Sequence, residues 1–119
     1  IQGSSVAAET IQKVHAFANG KKKVMVILDS NHTHEHVFQE LEAYASLVSK
    51  DSYLIVFDTG VEDLPADYDW GIRPWGKGNN PKTAVWEFLK THDEFEIDHS
   101  IHEKLLITVA PEGYLKRIK

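Results

Sequence analysis

Residues 24–28 and 53–57 read VMVIL and YLIVF, and these two uninterrupted apolar runs decide the fold. Such runs are typical of parallel strands covered on both faces, so each predicts a buried strand, and the first is expected to be central in its sheet. Between them, apolar residues recur at helical spacing from Val37 to about Val48. The strand–helix–strand order predicts a right-handed βαβ unit in a mostly parallel sheet.

Further helices are predicted on either side of this unit. Residues 5–18 place apolar side chains at helical spacing, with Ser4 or Ser5 as the N-cap. Asn80 followed by Pro81 is a cap and first-turn signal for a third helix, which should end near residue 92.

The end of the chain is predicted to form an antiparallel hairpin. Residues 95–99 and 104–109 are the expected strands, and a short polar segment links them. The predicted order is therefore αβαβαββ, an α/β domain that occupies residues 1–119 as one unit.

Composition excludes several classes of protein. The formal charge of −5 argues against a nucleic-acid partner, and no apolar run approaches the roughly 20 residues of a membrane span. The absence of cysteine excludes disulfides and thiolate metal sites. A cytoplasmic location is the resulting expectation.

Acidic residues follow both buried strands. Asp29 comes directly after the first run, and Asp58 directly after the second. Adjacent parallel strands lie about 4.8 Å apart, so both carboxylates should reach one small volume, where oxygen ligands suit Mg²⁺ or Mn²⁺. His32, three residues beyond Asp29, is the expected general base. Each of these residues could also be a helix cap or turn former.

Two further patterns suggest binding. His32, His34 and His36 alternate, which raises the alternative of a histidine-cluster metal site, although a helix beginning here would turn His34 away. Trp70, Arg73 and Trp75 lie in a glycine-rich loop, where they are suited to binding a sugar or polyol, or to pinning the loop to the core.

The chain resembles the cephalosporin hydroxylase / rhamnosyl O-methyltransferase family, whose members are Rossmann-like and mostly S-adenosylmethionine-dependent. The resemblance runs through nearly the whole chain. Its motifs are GSS at residues 3–5, LDSNHTHEHV at 28–37, YLIVFDT at 53–59, RPWG at 73–76, NNP at 79–81 and APEGYL at 110–115.

The resemblance implies O-methyl transfer to a small-molecule hydroxyl, such as that of a sugar. As in catechol O-methyltransferase, a divalent cation such as Mg²⁺ holds the substrate hydroxyl and a base removes its proton. By position, Asp29 and Asp58 would be metal ligands, His32 the base, and the Gly3-Ser4-Ser5 turn a contact for the donor's adenine. Arg73, Trp75 and His36 are the expected substrate contacts.

Two departures weaken this assignment. The family usually has a Glu-Asp pair after the second strand, whereas this chain has Phe57 before Asp58, so the metal site should be weaker unless Glu62 or Asp63 substitutes. The chain also lacks the Gly-x-Gly turn that binds most of the donor. It is therefore expected to be the carboxy-terminal half of a class I methyltransferase fold, binding S-adenosylmethionine only with the missing half.

Without that half, one edge of the strand at residues 24–28 would be exposed, which predicts a homodimer or higher oligomer. A catalytically inactive, self-associating interaction module is therefore the second hypothesis for the function of this chain.

Overall fold

The computed structural model describes all 119 residues, with four α-helices and four strands. No helix is long and apolar enough to cross a lipid bilayer. The elements are α1 (Ala8–Ala18), β1 (Val26–Leu28), α2 (His34–Tyr44), β2 (Tyr53–Val56), α3 (Pro81–Phe88), β3 (Phe95–Ile97), α4 (His99–Leu105) and β4 (Tyr114–Arg117), with 3₁₀ turns at Ala45–Leu47 and Thr59–Asp63.

The four strands form one mixed sheet in the order β1-β2-β4-β3. The strands β1 and β2 are parallel, with Leu28 opposite Val56, whereas β4 runs antiparallel to both β2 and β3. The α/β class and the parallel βαβ unit are confirmed. The prediction of a mostly parallel sheet is wrong, because β1 and β2 are the only parallel pair.

The C-terminal prediction is only partly correct. The antiparallel partner of β3 is β4, so an antiparallel pair does close the chain, but α4 lies between the two strands instead of a short turn. Residues 104–109 form no strand, and the observed order is αβαβαβαβ rather than αβαβαββ. The Asp98 carboxylate accepts a hydrogen bond from the Ser100 backbone and starts α4, which ends at Leu105 and is followed by Leu106 with a positive φ of 63°.

The strand β1 is shorter than predicted and lies at one edge of the sheet, not at its centre. Met25 and Ile27 keep 53% and 51% of their surface exposed, although both belong to the apolar run that suggested full burial. One backbone edge of β1 therefore has no strand partner in this chain.

The core lies between the βαβ unit and α3. Side chains on the buried face of α2 form one buried cluster with residues of β1, β2, α3 and β4, as the helical stripe from Val37 to Val48 predicted. The fully buried side chains include Leu41, Val48, Leu54, Phe88 and Leu115.

Of the two predicted helix N-caps, the structure contains one. Asn80 forms a capping box with Thr83 and Pro81 occupies the first turn, as predicted, although α3 ends at Phe88 instead of near residue 92. The predicted N-cap at Ser4 or Ser5 is wrong, since α1 begins after Ala7 without a side-chain cap.

Candidate functional site

Asp29, His32 and Asp58 converge at the carboxyl ends of the two parallel strands. One ligand atom from each lies within 4.8 Å of the others. The Nε2 atom of His32 is 3.1 Å from the Asp58 carboxylate and 3.9 Å from that of Asp29. All three side chains retain access to solvent. The expected meeting of the two carboxylates and the histidine is therefore what the structure shows.

Local backbone structure brings these residues together. The Phe57 N–H donates to the Leu28 carbonyl at 3.0 Å, which extends the β1–β2 pairing to the start of the site. Asp58 then adopts a left-handed conformation (φ 56°) that turns the chain away from the sheet. On the other side, the Asn31 side chain accepts hydrogen bonds from the backbone and hydroxyl of Thr33, an Asx turn that holds the loop carrying His32.

A cavity of about 560 Å³ opens beside this cluster and is shaped by the loop after β2. The Trp75 indole meets the His32 ring edge-on at 4.8 Å, and the Arg73 guanidinium lies 5.0 Å over the same indole. Trp70 and Tyr68 pack against each other at 4.6 Å. The lining residues are His32, Asp58, Gly60, Val61, Leu64, Tyr68, Asp69, Trp70, Arg73, Trp75 and Val109.

Neither suggested substitute for the carboxylate missing at Phe57 belongs to the cluster. Glu62 accepts hydrogen bonds from the Gly78 N–H at 2.7 Å and from the Asn80 side chain, which ties down the loop. Asp63 pairs with the buried Lys82 at 2.7 Å. The cluster therefore offers two carboxylates and one imidazole.

The three alternating histidines point to three different places. His34 bridges α2 and α3 through Thr83 at 2.8 Å and Glu87 at 2.9 Å. His36 lies 3.0 Å from the Ser5 hydroxyl, away from His32. A site shared by all three histidines is therefore not formed, because the helix begins at His34 and turns successive side chains apart.

His36 also does not reach the large cavity where it was expected to contact substrate. It lines a small pocket of about 280 Å³ with Gly3, Ser4 and Ser5. Arg73 and Trp75, by contrast, do line the large cavity next to His32.

A second cavity, of about 390 Å³, extends from the Gly3–Ser5 turn to Asp29, since Gly3, Ser5 and Asp29 all line it. The buried Glu40 lines it too, and accepts a hydrogen bond from Ser30 at 2.7 Å. Its second carboxylate oxygen has no partner. The turn predicted for donor binding and the predicted metal site therefore flank the same short loop.

Sequence reasoning did not identify Glu40, whose surface is only 2% exposed. The sequence does indicate that Glu40 is buried, because helical spacing places it on the same face of α2 as Val37 and Tyr44. Burial raises the pKa of Tyr44, and the Glu40 carboxylate raises it further. Tyr68 was also missed as a cavity-lining residue, although it belongs to the same aromatic loop as Trp70 and Trp75.

Comparison with known proteins gives two positive results and one negative. The family model described as rhamnosyl O-methyltransferase/CmcI matches residues 1–118. Curated proteins named rhamnosyl O-methyltransferase, from Mycobacterium tuberculosis (strain ATCC 25618 / H37Rv) and Mycobacterium bovis (strain ATCC BAA-935 / AF2122/97), are 33% identical over 115 residues. The alignment covers 92% of this chain but 42% of each relative. No solved structure matches.

Proposed function

Because the chain belongs to the rhamnosyl O-methyltransferase/CmcI family, we propose that it takes part in methyl transfer from S-adenosylmethionine to a sugar hydroxyl, such as that of a rhamnosyl group. The convergence of Asp29, His32 and Asp58 beside a cavity carries this proposal. Such a constellation at the carboxyl ends of parallel strands is where α/β folds bind ligands.

The donor set of the cluster fits a divalent cation, since two carboxylates and an imidazole are all common metal ligands. Asp29 and Asp58 would hold the ion. When bound, it supplies positive charge that makes the acceptor hydroxyl easier to deprotonate. The base role of His32, in which its Nε2 accepts that proton, stays a prediction.

The large cavity is the proposed acceptor site. Its volume of about 560 Å³ is enough for a sugar residue, and its indoles can pack on the apolar face of a sugar ring. In this proposal Arg73 and Trp75 orient the sugar so that one hydroxyl faces His32 and Asp58.

The second cavity is the proposed position of part of the donor. Gly3 and Ser5 line it, and Ser4 lines the small pocket that shares Gly3 and Ser5. Asp29 also lines the second cavity, and its carboxylate lies within 4.8 Å of the ligand atoms of His32 and Asp58, which line the acceptor cavity. The chain spans 42% of the length of the curated relatives. We therefore propose that donor binding requires the additional length found in those relatives, which would continue the sheet from β1 in a Rossmann-like manner.

Calorimetry with S-adenosylmethionine tests the donor assignment. The titration uses this chain and a chimera that joins it to the unmatched part of the M. tuberculosis relative. Binding by the chimera, with transfer of labelled methyl to a rhamnoside, is the expected result. Asp58→Asn should abolish transfer, while Asp67→Asn, an exposed carboxylate outside the cluster, should retain it. Failure of both proteins to bind the donor would refute the proposal.

A second candidate function is an inactive, self-associating module. Phe57 in place of a metal-binding carboxylate favours it, as does the unpaired edge of β1 with its exposed Met25 and Ile27. We propose that this edge, at residues 24–28, forms a homodimer when no other chain covers it. Light scattering after size exclusion tests this, and a strictly monomeric chain would contradict it.

A further inference from the structure

We infer that His32 is a direct ligand of the cation in this chain, and that the site therefore favours a first-row transition-metal ion, such as Mn²⁺ or Zn²⁺, over Mg²⁺. The inference rests on the proposed function only in taking a divalent cation to bind between Asp29 and Asp58. It does not depend on methyl transfer, and it replaces the base role of His32, because an Nε2 lone pair that binds the cation cannot also accept a proton.

Phe57 cannot supply a metal ligand. Its phenyl ring has no lone pair for a cation, and it occupies the position directly before Asp58. The nearby carboxylates of Glu62 and Asp63 are held by hydrogen bonds and an ion pair elsewhere. The remaining side chain that can complete the set is His32.

The spacing of the three ligand atoms also fits direct coordination by His32. Two metal–ligand bonds of about 2.2 Å place their ligand atoms about 3.1 Å apart at right angles, and about 4.4 Å apart on opposite sides of the ion. The Nε2 atom of His32 lies 3.1 Å from Asp58 and 3.9 Å from Asp29, within this range. The three ligand atoms lie within 4.8 Å of one another, so an ion placed between them can contact both carboxylates and Nε2. The edge-on contact with Trp75 at 4.8 Å helps to keep the imidazole in this orientation.

Ligand chemistry then determines the preferred ion. Mg²⁺ binds oxygen ligands almost exclusively and keeps several waters, whereas imidazole is a good ligand for Zn²⁺ and other first-row ions. Exchange of a carboxylate for an imidazole removes a negative charge that attracts Mg²⁺ and adds a nitrogen ligand that Mg²⁺ binds weakly. The set of Asp29, His32 and Asp58 should consequently discriminate against Mg²⁺.

Pulsed EPR of bound Mn²⁺ tests the direct bond, since modulation from a coordinated ¹⁴N nucleus reports a nitrogen ligand, and its loss in His32→Asn identifies that ligand. Wild type and His99→Asn, which removes an exposed histidine outside the cluster, should show the modulation. His32→Asn should lack it. Absence of the modulation in wild type, its persistence in His32→Asn, or a failure of Mn²⁺ to bind would overturn the inference.

Calorimetric titrations with Mn²⁺ and Mg²⁺ test the preference. We expect wild type to bind Mn²⁺ at least about tenfold more tightly than Mg²⁺. Mutation of a residue that only hydrogen-bonds to a metal ligand typically lowers metal affinity by roughly 10- to 100-fold, and loss of a ligand itself should cost no less. His32→Asn should therefore lower the affinity for Mn²⁺ by at least about tenfold. Phe57→Glu should raise the affinity for Mg²⁺. Equal Mn²⁺ affinity in wild type and a His32→Asn variant with an unchanged circular dichroism spectrum would overturn the inference.

The two proposals fail separately. Methyl transfer by a protein whose Mn²⁺ shows no ¹⁴N coupling would overturn the ligand role of His32 and leave the proposed function intact. A clear ¹⁴N signal in a protein that transfers no methyl group would support the ligand role and count against the proposed function.

Discussion

Replacement of Gly113 by alanine should open the sheet next to the candidate site. A Cβ at this position would lie 2.1 Å from the Val56 carbonyl oxygen and 3.1 Å from the Ala110 side chain. Because real Cβ contacts almost never fall below 3.0 Å, the backbones must separate by about 1 Å. The Val56 N–H, which donates to the Gly113 carbonyl at 2.8 Å, would be strained or lose that bond.

The cost can be estimated from two terms. Overpacking of a tight site costs about 1–3 kcal/mol, and loss of the hydrogen bond adds about 1 kcal/mol. The free energy of unfolding should therefore fall by about 2–4 kcal/mol. With an m-value of about 2 kcal/mol/M, the urea midpoint should drop by about 1–2 M.

Urea denaturation followed by tryptophan fluorescence measures this change. The matched control is Gly60→Ala, whose added Cβ would meet Pro111 at an ordinary 3.6 Å. This control should unfold within about 0.5 kcal/mol of wild type. A Gly113→Ala protein as stable as the control would refute the claim that the close approach of the two backbones requires glycine.

Three smaller predictions concern other parts of the chain. Tyr53→Phe should raise the pKa of Asp98, which lies below its ordinary value because the side chains of Ser100 and Tyr53 donate hydrogen bonds to it; an NMR titration of the carboxyl carbon measures the change. Because the pKa of Asp98 is lowered in the folded state, its carboxylate stabilises the fold above about pH 4, and this contribution is lost as the pH falls further. The free energies of unfolding of wild type and Tyr53→Phe should therefore converge at low pH. Asn80→Ala should cost about 0.5–2 kcal/mol in thermal unfolding through loss of the capping box, and an unchanged melting temperature would contradict this. Trp75→Ala should weaken binding of a rhamnoside without loss of Mn²⁺ binding, and calorimetry showing equal rhamnoside affinity would contradict the acceptor role of the loop.

The βαβ unit and its site were predictable because their signals are local and strong. Two apolar runs, the helical stripe between them and an aspartate after each run placed Asp29 and Asp58 at one sheet edge without knowledge of the rest of the fold. His32 followed from its distance to Asp29 along the chain.

The C-terminal region was not predictable in the same way. Leu106 and Ile107 form an apolar run that resembles a strand, yet they are 80% and 90% exposed around the end of α4. The true last strand shows only one fully buried residue, Leu115, among polar neighbours. Its pairing with β2 and β3 is a long-range contact that no local period reveals.

The hydrogen bond between Ser30, in the loop after β1, and Glu40 of α2 was also not predictable, because it depends on how the loop packs against the helix.

We propose above all that Asp29 and Asp58 hold a divalent cation. Calorimetric titration of Mn²⁺ into the wild-type chain and an Asp29→Asn/Asp58→Asn double variant tests this proposal, with Asp51→Asn/Asp67→Asn, two exposed carboxylates outside the cavities, as a control of equal charge. We expect one bound Mn²⁺ ion in wild type and control, and no measurable Mn²⁺ binding to the double variant at the same protein concentration. Equal Mn²⁺ affinity in the double variant and wild type would contradict it.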